Sequence, residues 1–346
     1  ADMYTVKVEH DVGPGLTVRN VTRYGKNRMD RVLTGINAIT ATNPADPSTW
    51  TISRSRQNVD QENSIFANQT SLNSEFSTGS IRHSLAAGLE LMNERQTTYT
   101  HASTGTTSAA NLYNPNPNDP MSTFGPRTGA QSGGSTSTVG LYVFNNAQLT
   151  ERFSLNGGLR LDRYTVGTRT PTVNADDSDT LTSWNLGGVY KPAENGSIYV
   201  SYATSATPPG GNNFQLSAAE GNQANSALDP QETSTVELGT KWELLNKRLN
   251  VAAAIFSSEN DKQTSYDPIS NSTQQFGKTR VQGLELTAVG QITRLWQVTA
   301  GLARTNTRAL DQRSRNATTG VVTTTEDVRW SPDLTATLWT SYQLDK

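Results

Sequence analysis

The side chains that commonly carry chemistry are few in this sequence, and their spacing assembles neither a catalytic site nor a metal site. There is no cysteine, and the three histidines, His10, His83 and His101, lie far apart. Thiolate chemistry is therefore excluded and a histidine metal cluster is not predicted. His83 and Ser84 resemble a base and a nucleophile, but adjacent residues of a strand point to opposite faces and cannot pair directly. The acidic run 176–179 lacks the glycine and distal glutamate of an EF-hand.

The composition narrows the class of protein further. Only 17% of the 346 residues are charged and 34% are hydrophobic, both low for a soluble domain. No stretch approaches the roughly 20 apolar residues of a membrane helix. A net charge of −2 argues against a nucleic-acid partner, which normally selects a basic surface. The six Trp, eleven Tyr and eight Phe are too many for a disordered chain.

Period-two alternation of apolar and polar residues is the dominant pattern of the chain. Successive side chains of a strand point to opposite faces, so each alternating segment has one apolar and one polar face. No comparable helical stripe at i, i+3 and i+4 appears. The clearest alternating segments are 153–163, 235–244, 248–255 and 333–344. The sequence therefore predicts an all-β protein.

The links between these strands alternate between short and long. The predicted long polar links are 36–49, 101–134, 170–180, 206–231, 265–275 and 310–326. About thirteen strands result, many of about 10 residues or more, and outer-membrane barrels combine such strands with short turns on one side and long loops on the other. We predict a transmembrane antiparallel β-barrel. A secreted β-solenoid or adhesin is the rival, although the fixed short repeat of a solenoid is missing.

Aromatic residues near the strand ends suit the interfacial girdles of such a barrel. Strands are also enriched in aromatic residues for other reasons, so membership of a girdle is a prediction for the group. The residues concerned are Trp50, Tyr99, Tyr164, Tyr190, Tyr202, Trp242, Trp296 and Trp330.

Several segments then resemble TonB-dependent outer-membrane receptors. The run Asp229–Trp242 is similar to their P-E-x-S-x-x-x-E-x-G-x-K segment, with Gln231 inserted between proline and glutamate. Residues 280–286 look like the R-x-x-G-x-E segment of the same family. Segments 79–90 and 157–162 are similar to strands of the siderophore branch and its catecholate group. The likeness extends over nearly the whole chain, and the order and spacing of the short motifs make it specific.

The resemblance implies a 22-stranded barrel that is filled by an N-terminal plug domain and imports ferric siderophores with energy from TonB. Residues 1–346 are then a partial barrel domain of about thirteen strands, without the plug and the last strands. The implied location is the bacterial outer membrane, and the implied partners are the siderophore, the TonB complex, lipid and lipopolysaccharide. Iron is expected to arrive chelated, so no cofactor is predicted. A receptor-transporter is implied, so no enzymatic activity is predicted. A porin-like channel, a surface adhesin and an outer-membrane hydrolase remain alternatives.

Two glutamates are the sharpest candidates for a structural role inside the barrel. Glu237 and Glu285 both lie on the polar parity of their strands, and a carboxylate in a packed lumen needs a charged or hydrogen-bonding partner. In ferrichrome-type receptors the matching glutamates pair with plug arginines. The resemblance therefore implies that Glu237 and Glu285 hold the plug, whereas the alternative is an ordinary solvated charge.

Ligand capture is expected in the long links. A ferric catecholate is anionic and rich in aromatic rings, so arginine and aromatic side chains are the expected partners. The candidates are Tyr113, Phe124, Arg127, Phe214, Arg313 and Arg315. Four further arginines, near the start of the chain, do not share one parity and suit either the lumen or a charged rim: Arg19, Arg23, Arg28 and Arg31.

Overall fold

The computed structural model describes residues 1–210, 214–219, 221–316, 318–328 and 331–344, which fold into one antiparallel sheet of fifteen strands. The all-β prediction is confirmed. The strands are β1 (Asp2–Gly13), β2 (Leu16–Thr40), β3 (Thr51–Thr78), β4 (Ile81–Thr104), β5 (Ala110–Asn111), β6 (Thr123–Gln148), β7 (Phe153–Arg169), β8 (Asn174–Ala193), β9 (Gly196–Thr207), β10 (Gln231–Leu244), β11 (Leu249–Asp267), β12 (Ser272–Gln291), β13 (Trp296–Arg315), β14 (Val322–Asp327) and β15 (Leu334–Tyr342).

The strands follow one another around the sheet in chain order. The hydrogen-bonded path runs from β1 to β13 and on to β14, with the two-residue β5 set aside against β3 and with β15 also paired to β13. Setting aside β5 and the six-residue β14, thirteen of the fifteen strands have nine residues or more. This matches the expected strand number. The path does not close on itself within the described residues.

The pairing register carries the period-two pattern across the whole sheet. On one face of β10, Leu238 lies between Val200 of β9 and Ile255 of β11. On the opposite face, Glu237 lies beside Ser201. We call the face of Leu238 the outer face and the face of Glu237 the inner face. Because the strands pair residue by residue, each keeps its apolar parity on the outer face, where large hydrophobic side chains are exposed.

The predicted girdle is only partly present. Tyr164 is a wrong prediction, because it lies on the inner face and is almost fully buried there against Val166. Trp50 and Tyr99 lie near the strand ends that the long links join, beyond the part of the sheet whose outer face is apolar. Trp330 lies outside the described residues. Four of the predicted residues do lie on the outer face: Tyr190, Tyr202, Trp242 and Trp296.

The short turns lie where the alternation predicts them, but several long links are shorter than expected. The sequence predicts long links at 170–180 and 265–275, yet only 170–173 and 268–271 lie between strands. The acidic run 176–179 therefore belongs to β8. The strands continue above the apolar band because backbone pairing needs no apolar face once both faces meet water. We call this side of the sheet the long-link end.

No helix in the described ranges is long and apolar enough to cross a membrane. A 3₁₀ turn, Pro47–Thr49, is capped by the side chain of Asp46 and belongs to the link between β2 and β3.

Candidate ligand-binding and inner-face contact sites

Glu237 is held in place on the inner face by a neighbouring tyrosine. The Tyr199 hydroxyl donates a hydrogen bond to Glu237 Oε1 at 2.6 Å. Gly239, the residue paired with Tyr199, has no side chain, and a Cβ there would collide with the Tyr199 ring. The Tyr199 ring can therefore lie along the sheet and reach the carboxylate. The hydrogen bond then holds the Glu237 side chain in one position on the inner face.

Glu285 lies on the same face two strands away. It pairs with Ala254 of β11, which in turn pairs with Gly239 of β10. The two glutamates are thus displaced from one another by two residues along the strand and two strands across the sheet. The structure confirms their shared inner face. Their contact with a plug domain stays a prediction, because the described chain contains no such domain.

The predicted ligand-binding residues lie at three separate places of the long-link end. Phe124 and Arg127 belong to β6, rather than to a loop, while Tyr113 is 65% exposed in the link before it. Arg313 and Arg315 also lie in a strand, at the end of β13. Phe214 lies in the link between β9 and β10, next to residues 211–213, which are outside the described ranges.

Arg127 is not a free loop cation, because a buried carboxylate binds it. Its Nε and Nη2 atoms donate to the two oxygens of Asp60 at 2.7 and 2.9 Å, and its guanidinium lies 3.6 Å from the centre of the Tyr99 ring. Asp60 is 1% exposed and also receives a hydrogen bond from Arg28 at 3.4 Å. Asp60 is not among the residues predicted from the sequence, because the 67 residues that separate it from Arg127 leave no local signal.

His101 completes this cluster. Its Nε2 atom lies 3.0 Å from Asp60 Oδ2 and its Nδ1 atom lies 2.7 Å from the carbonyl oxygen of Gly125. Both neighbours accept hydrogen bonds, so both ring nitrogens donate when the imidazole is charged. The hydrogen bond to Asp60, followed by that to Gly125, raises the pKa of His101. We call Asp60, His101 and Arg127 the link clamp, because they join β3 to the two ends of the link 105–122.

Arg315 has an aromatic neighbour of its own. Its guanidinium lies 5.8 Å from the centre of the Tyr266 ring, and its Nη1 donates to Asn271 Oδ1 at 3.3 Å. The backbone N–H of Arg313 donates to Ser265 Oγ at 2.9 Å. The tip of β11, β12 and β13 therefore offers a cation beside an aromatic ring, which is the chemistry expected for an anionic aromatic ligand.

Residues 214–216 of the link between β9 and β10 fold against the inner face. Thr168 Oγ1 accepts from the backbone N–H of Leu216 at 2.6 Å and donates to the carbonyl oxygen of Phe214 at 2.7 Å. The side chain of Leu216 packs against Tyr164 and Val166, and all three are at most 4% exposed. The backbone of Phe214 has a φ of 55°, a left-handed conformation that is unusual for a bulky residue. The contacts of Thr168 and Leu216 stabilise this conformation.

Thr168→Val is expected to release this link. Valine keeps the volume of threonine but leaves the Leu216 N–H and the Phe214 carbonyl without their shared partner. Limited proteolysis of the intact protein should then cleave the 208–230 link about five- to tenfold faster. Thr165→Val, on the exposed outer face of the same strand, is the matched control. Equal cleavage of both variants and the parent would contradict this role of Thr168.

Comparison with known proteins decides the family. The family model described as TonB dependent receptor-like, beta-barrel, matches residues 1–346. The chain belongs to the TonB-dependent receptor family. The catecholate siderophore receptor Fiu of Escherichia coli (strain K12) is 36% identical over 377 residues, which cover 99% of this chain. The probable TonB-dependent receptor BfrD of Bordetella pertussis is 29% identical and covers 98% of the chain.

Solved structures of TonB-dependent receptors share the fold. The crystal structure of the ferric-catecholate import receptor Fiu in its closed form has a TM-score of 0.88 at 33% identity and covers 99% of this chain. The siderophore receptor PiuA of Acinetobacter baumannii has a TM-score of 0.82 at 26% identity and covers 98%. The open sheet described above is therefore part of a transmembrane β-barrel, and the protein is located in the outer membrane.

The chain spans about half the length of these relatives. It covers 48% of the Fiu and BfrD sequences and 51% of the Fiu chain in the closed crystal structure. The division into a partial barrel, a plug domain and further strands, which the family resemblance implies, stays a prediction.

Proposed function

We propose that the intact protein imports a ferric siderophore of the catecholate class across the outer membrane, energised by TonB. One observation carries this proposal: 99% of the chain aligns with a receptor named for catecholate siderophores, at 36% identity. Family membership favours a receptor over the porin-like channel, the adhesin and the hydrolase. The relatives are transport receptors, and this role needs no catalytic residue in the chain.

The long-link end suits capture of such a ligand. Arg315 beside Tyr266 provides a cation and an aromatic ring, with Arg313 on the same strand, and the exposed Tyr113 can stack on a ligand ring. Arg127 contributes through an edge not taken by Asp60, since only its Nε and Nη2 atoms are engaged there. Iron enters as cargo inside the chelate, so the protein needs no resident metal.

The other proposed partners follow from the faces of the sheet. A plug domain contacts the inner face at Glu237 and Glu285 and links the receptor to the TonB complex. The apolar outer face contacts lipid acyl chains, and charges above it, including Arg28, meet lipopolysaccharide. Nothing in the near-neutral charge of the chain favours a nucleic acid.

Uptake of radioactive iron tests the proposed function. Cells that lack other siderophore receptors are given the intact protein, then supplied with a ferric catecholate or a ferric hydroxamate. We expect rapid uptake of the catecholate only, and its loss when TonB is inactivated. Uptake that persists without TonB would instead support a passive channel, and equal uptake of both chelates would contradict the catecholate class.

Glu237→Gln combined with Glu285→Gln is expected to loosen the plug. The two amides keep the shape of the carboxylates but remove the charges that attract plug cations. We expect the double variant to admit a large antibiotic such as vancomycin about tenfold more readily, because loss of a buried ion pair costs more than the 1.4 kcal/mol of a tenfold change. Glu194→Gln, in the turn between β8 and β9, is the control. Unchanged permeability of the double variant would refute the plug contact.

A further inference from the structure

A second charged site lies on the inner face, away from Glu237 and Glu285. Arg160 of β7 donates to Asp162 through Nε at 2.8 Å and through Nη2 at 2.7 Å. Glu90 of β4 approaches the same guanidinium at 3.4 Å, across Gly140 of β6. We call Glu90, Arg160 and Asp162 the inner-face triad. Its position on the inner face follows from the register that links Arg160 to Ser183 on β8 and onward to β10.

The triad lies flat against the wall because glycines make room for it. A Cβ at Gly140 would lie 2.6 Å from both Arg160 Nη2 and Asp162 Oδ1. A Cβ at Gly88 would lie 2.5 Å from the hydroxyl of Tyr142, whose ring lies beside the Arg160 guanidinium. Gln69 donates to that hydroxyl at 2.8 Å. The side chains of Arg160, Asp162 and Tyr142 thus lie over the glycines of the wall, an arrangement that suits contact with a packed domain.

The charges of the triad do not balance. One guanidinium serves two carboxylates, so the site carries a surplus charge of −1 at the level of the outer-face leucines Leu89 and Leu141. Asp162 takes the short bidentate contact, whereas Glu90 is left with distances of 3.4 and 3.5 Å. A carboxylate that is only 25% exposed needs a better partner than this. Glu90 is therefore the member of the triad that is available to another cation.

We propose that the inner-face triad is a second docking point for the lumen-filling plug domain, and that Glu90 binds an arginine or lysine side chain of that domain. This inference rests on the proposed function, which supplies the plug. The surplus negative charge, the side chains that lie over the wall glycines and the inner-face position favour a cationic side chain of a packed domain over a solvated ion.

The residue that binds Glu90 must differ from those that bind Glu237 and Glu285. The triad belongs to β4 and β7, and Glu237 belongs to β10, with β8 and β9 between them. Neighbouring strands are about 4.8 Å apart, so β7 and β10 are separated by about 14 Å along the sheet. One side chain cannot reach both sites. The plug is thus fixed at two points of the wall, which resists rotation as well as release.

Hydrogen exchange of the intact receptor tests this docking point. We expect Glu90→Gln to speed exchange at least fivefold in a plug segment that faces β4 to β7, while leaving the temperature at which the barrel unfolds unchanged. Glu194→Gln is again the control. Glu90→Lys should speed exchange further, because it places a second cation beside Arg160. When the plug cation of that segment is also replaced by an acidic residue, the exchanged charges should restore protection.

The outcomes separate this inference from the proposed function. If Glu237→Gln and Glu285→Gln speed plug exchange but Glu90→Gln does not, the second docking point is wrong while the receptor assignment stands. A lowered barrel unfolding temperature with unchanged plug exchange would show that Glu90 only stabilises the wall, and would also overturn the inference. Absence of TonB-dependent iron uptake in the parent protein would refute the proposed function itself.

Discussion

Leu238→Arg is expected to lower the free energy of unfolding of the intact receptor in a lipid bilayer by about 2–4 kcal/mol. Leu238 lies on the outer face of β10, four residues from Trp242 at the short-turn end, and its neighbours Val200 and Ile255 are also apolar and exposed. Because the apolar outer face of a membrane barrel contacts lipid, we expect these side chains to meet acyl chains near the middle of the membrane. A guanidinium there must either lose its hydration or distort the bilayer.

Ser201→Arg is the matched control for this prediction. Ser201 belongs to the adjacent strand β9 and pairs with Glu237, so its side chain lies on the inner face. An arginine at this position meets a carboxylate and no lipid, and we expect it to lose less than half as much stability as Leu238→Arg. Chemical unfolding of both variants in lipid vesicles gives the comparison. Equal losses would contradict the assignment of the two faces.

The assignment of faces was predictable from the sequence, because alternate side chains of a strand point to opposite faces of the sheet. Val236, Leu238 and Trp242 share one parity, and the structure places all three on the outer face. The inner-face position of Glu237 and Glu285 follows from the same rule. Backbone pairing keeps neighbouring strands in register, so a pattern read locally holds across the sheet.

The lengths of the links were not predictable in the same way. The polar segment 174–180 has no apolar parity and reads as a loop, yet it pairs with β7 as part of β8. Above the membrane both faces of a strand meet water, so the apolar alternation that marks strands disappears while the backbone hydrogen bonds continue. This is why Phe124, Arg127, Arg313 and Arg315 lie in strands rather than in loops.

The partners of the site residues were equally invisible, because they come from distant parts of the chain. Arg127 reads as a free cation in a polar link, but β3 brings Asp60 to it from 67 residues away. The inner-face triad joins Glu90 to Arg160 over 70 residues. Residue type predicts the chemistry available at each position, and only the pairing of the strands decides which charges neutralise each other.

Asp60→Ala is expected to detach the link 105–122 from β3. Asp60 is six residues from Phe66, the nearest aromatic residue of the outer face on β3, and lies toward the long-link end, outside the membrane-spanning segment. Its removal leaves Arg127 and His101 crowded together without their shared carboxylate. Loss of one partner from a buried charge cluster is strongly destabilising, so we expect hydrogen exchange in residues 101–130 to rise by at least about tenfold.

Glu62→Ala is the control for this change. Glu62 lies two residues from Asp60 on the same face and pairs with Lys26 at 3.1 Å, but the Lys26 side chain is 53% exposed. Surface ion pairs contribute little, and we expect less than a twofold change in exchange. If the two variants behave alike, the link is held by its backbone contacts with β3 and not by the link clamp.

The link clamp should also weaken at alkaline pH. The hydrogen bonds that His101 donates to the Asp60 carboxylate and to the Gly125 carbonyl oxygen raise the pKa of His101 above 6.5, so its contribution is complete below about pH 6.5 and is lost as the pH rises through the raised value. The hydrogen bonds from Arg127 and His101 lower the pKa of Asp60, so its contribution is complete above about pH 4 and is lost only as the pH falls through the depressed value. Exchange in residues 101–130 should therefore be slowest between about pH 4 and pH 6.5, after correction for the intrinsic pH dependence of exchange.

His101→Gln should abolish the alkaline increase in exchange, because a glutamine has no proton to lose in this range. An increase that persists in His101→Gln would show that another group titrates.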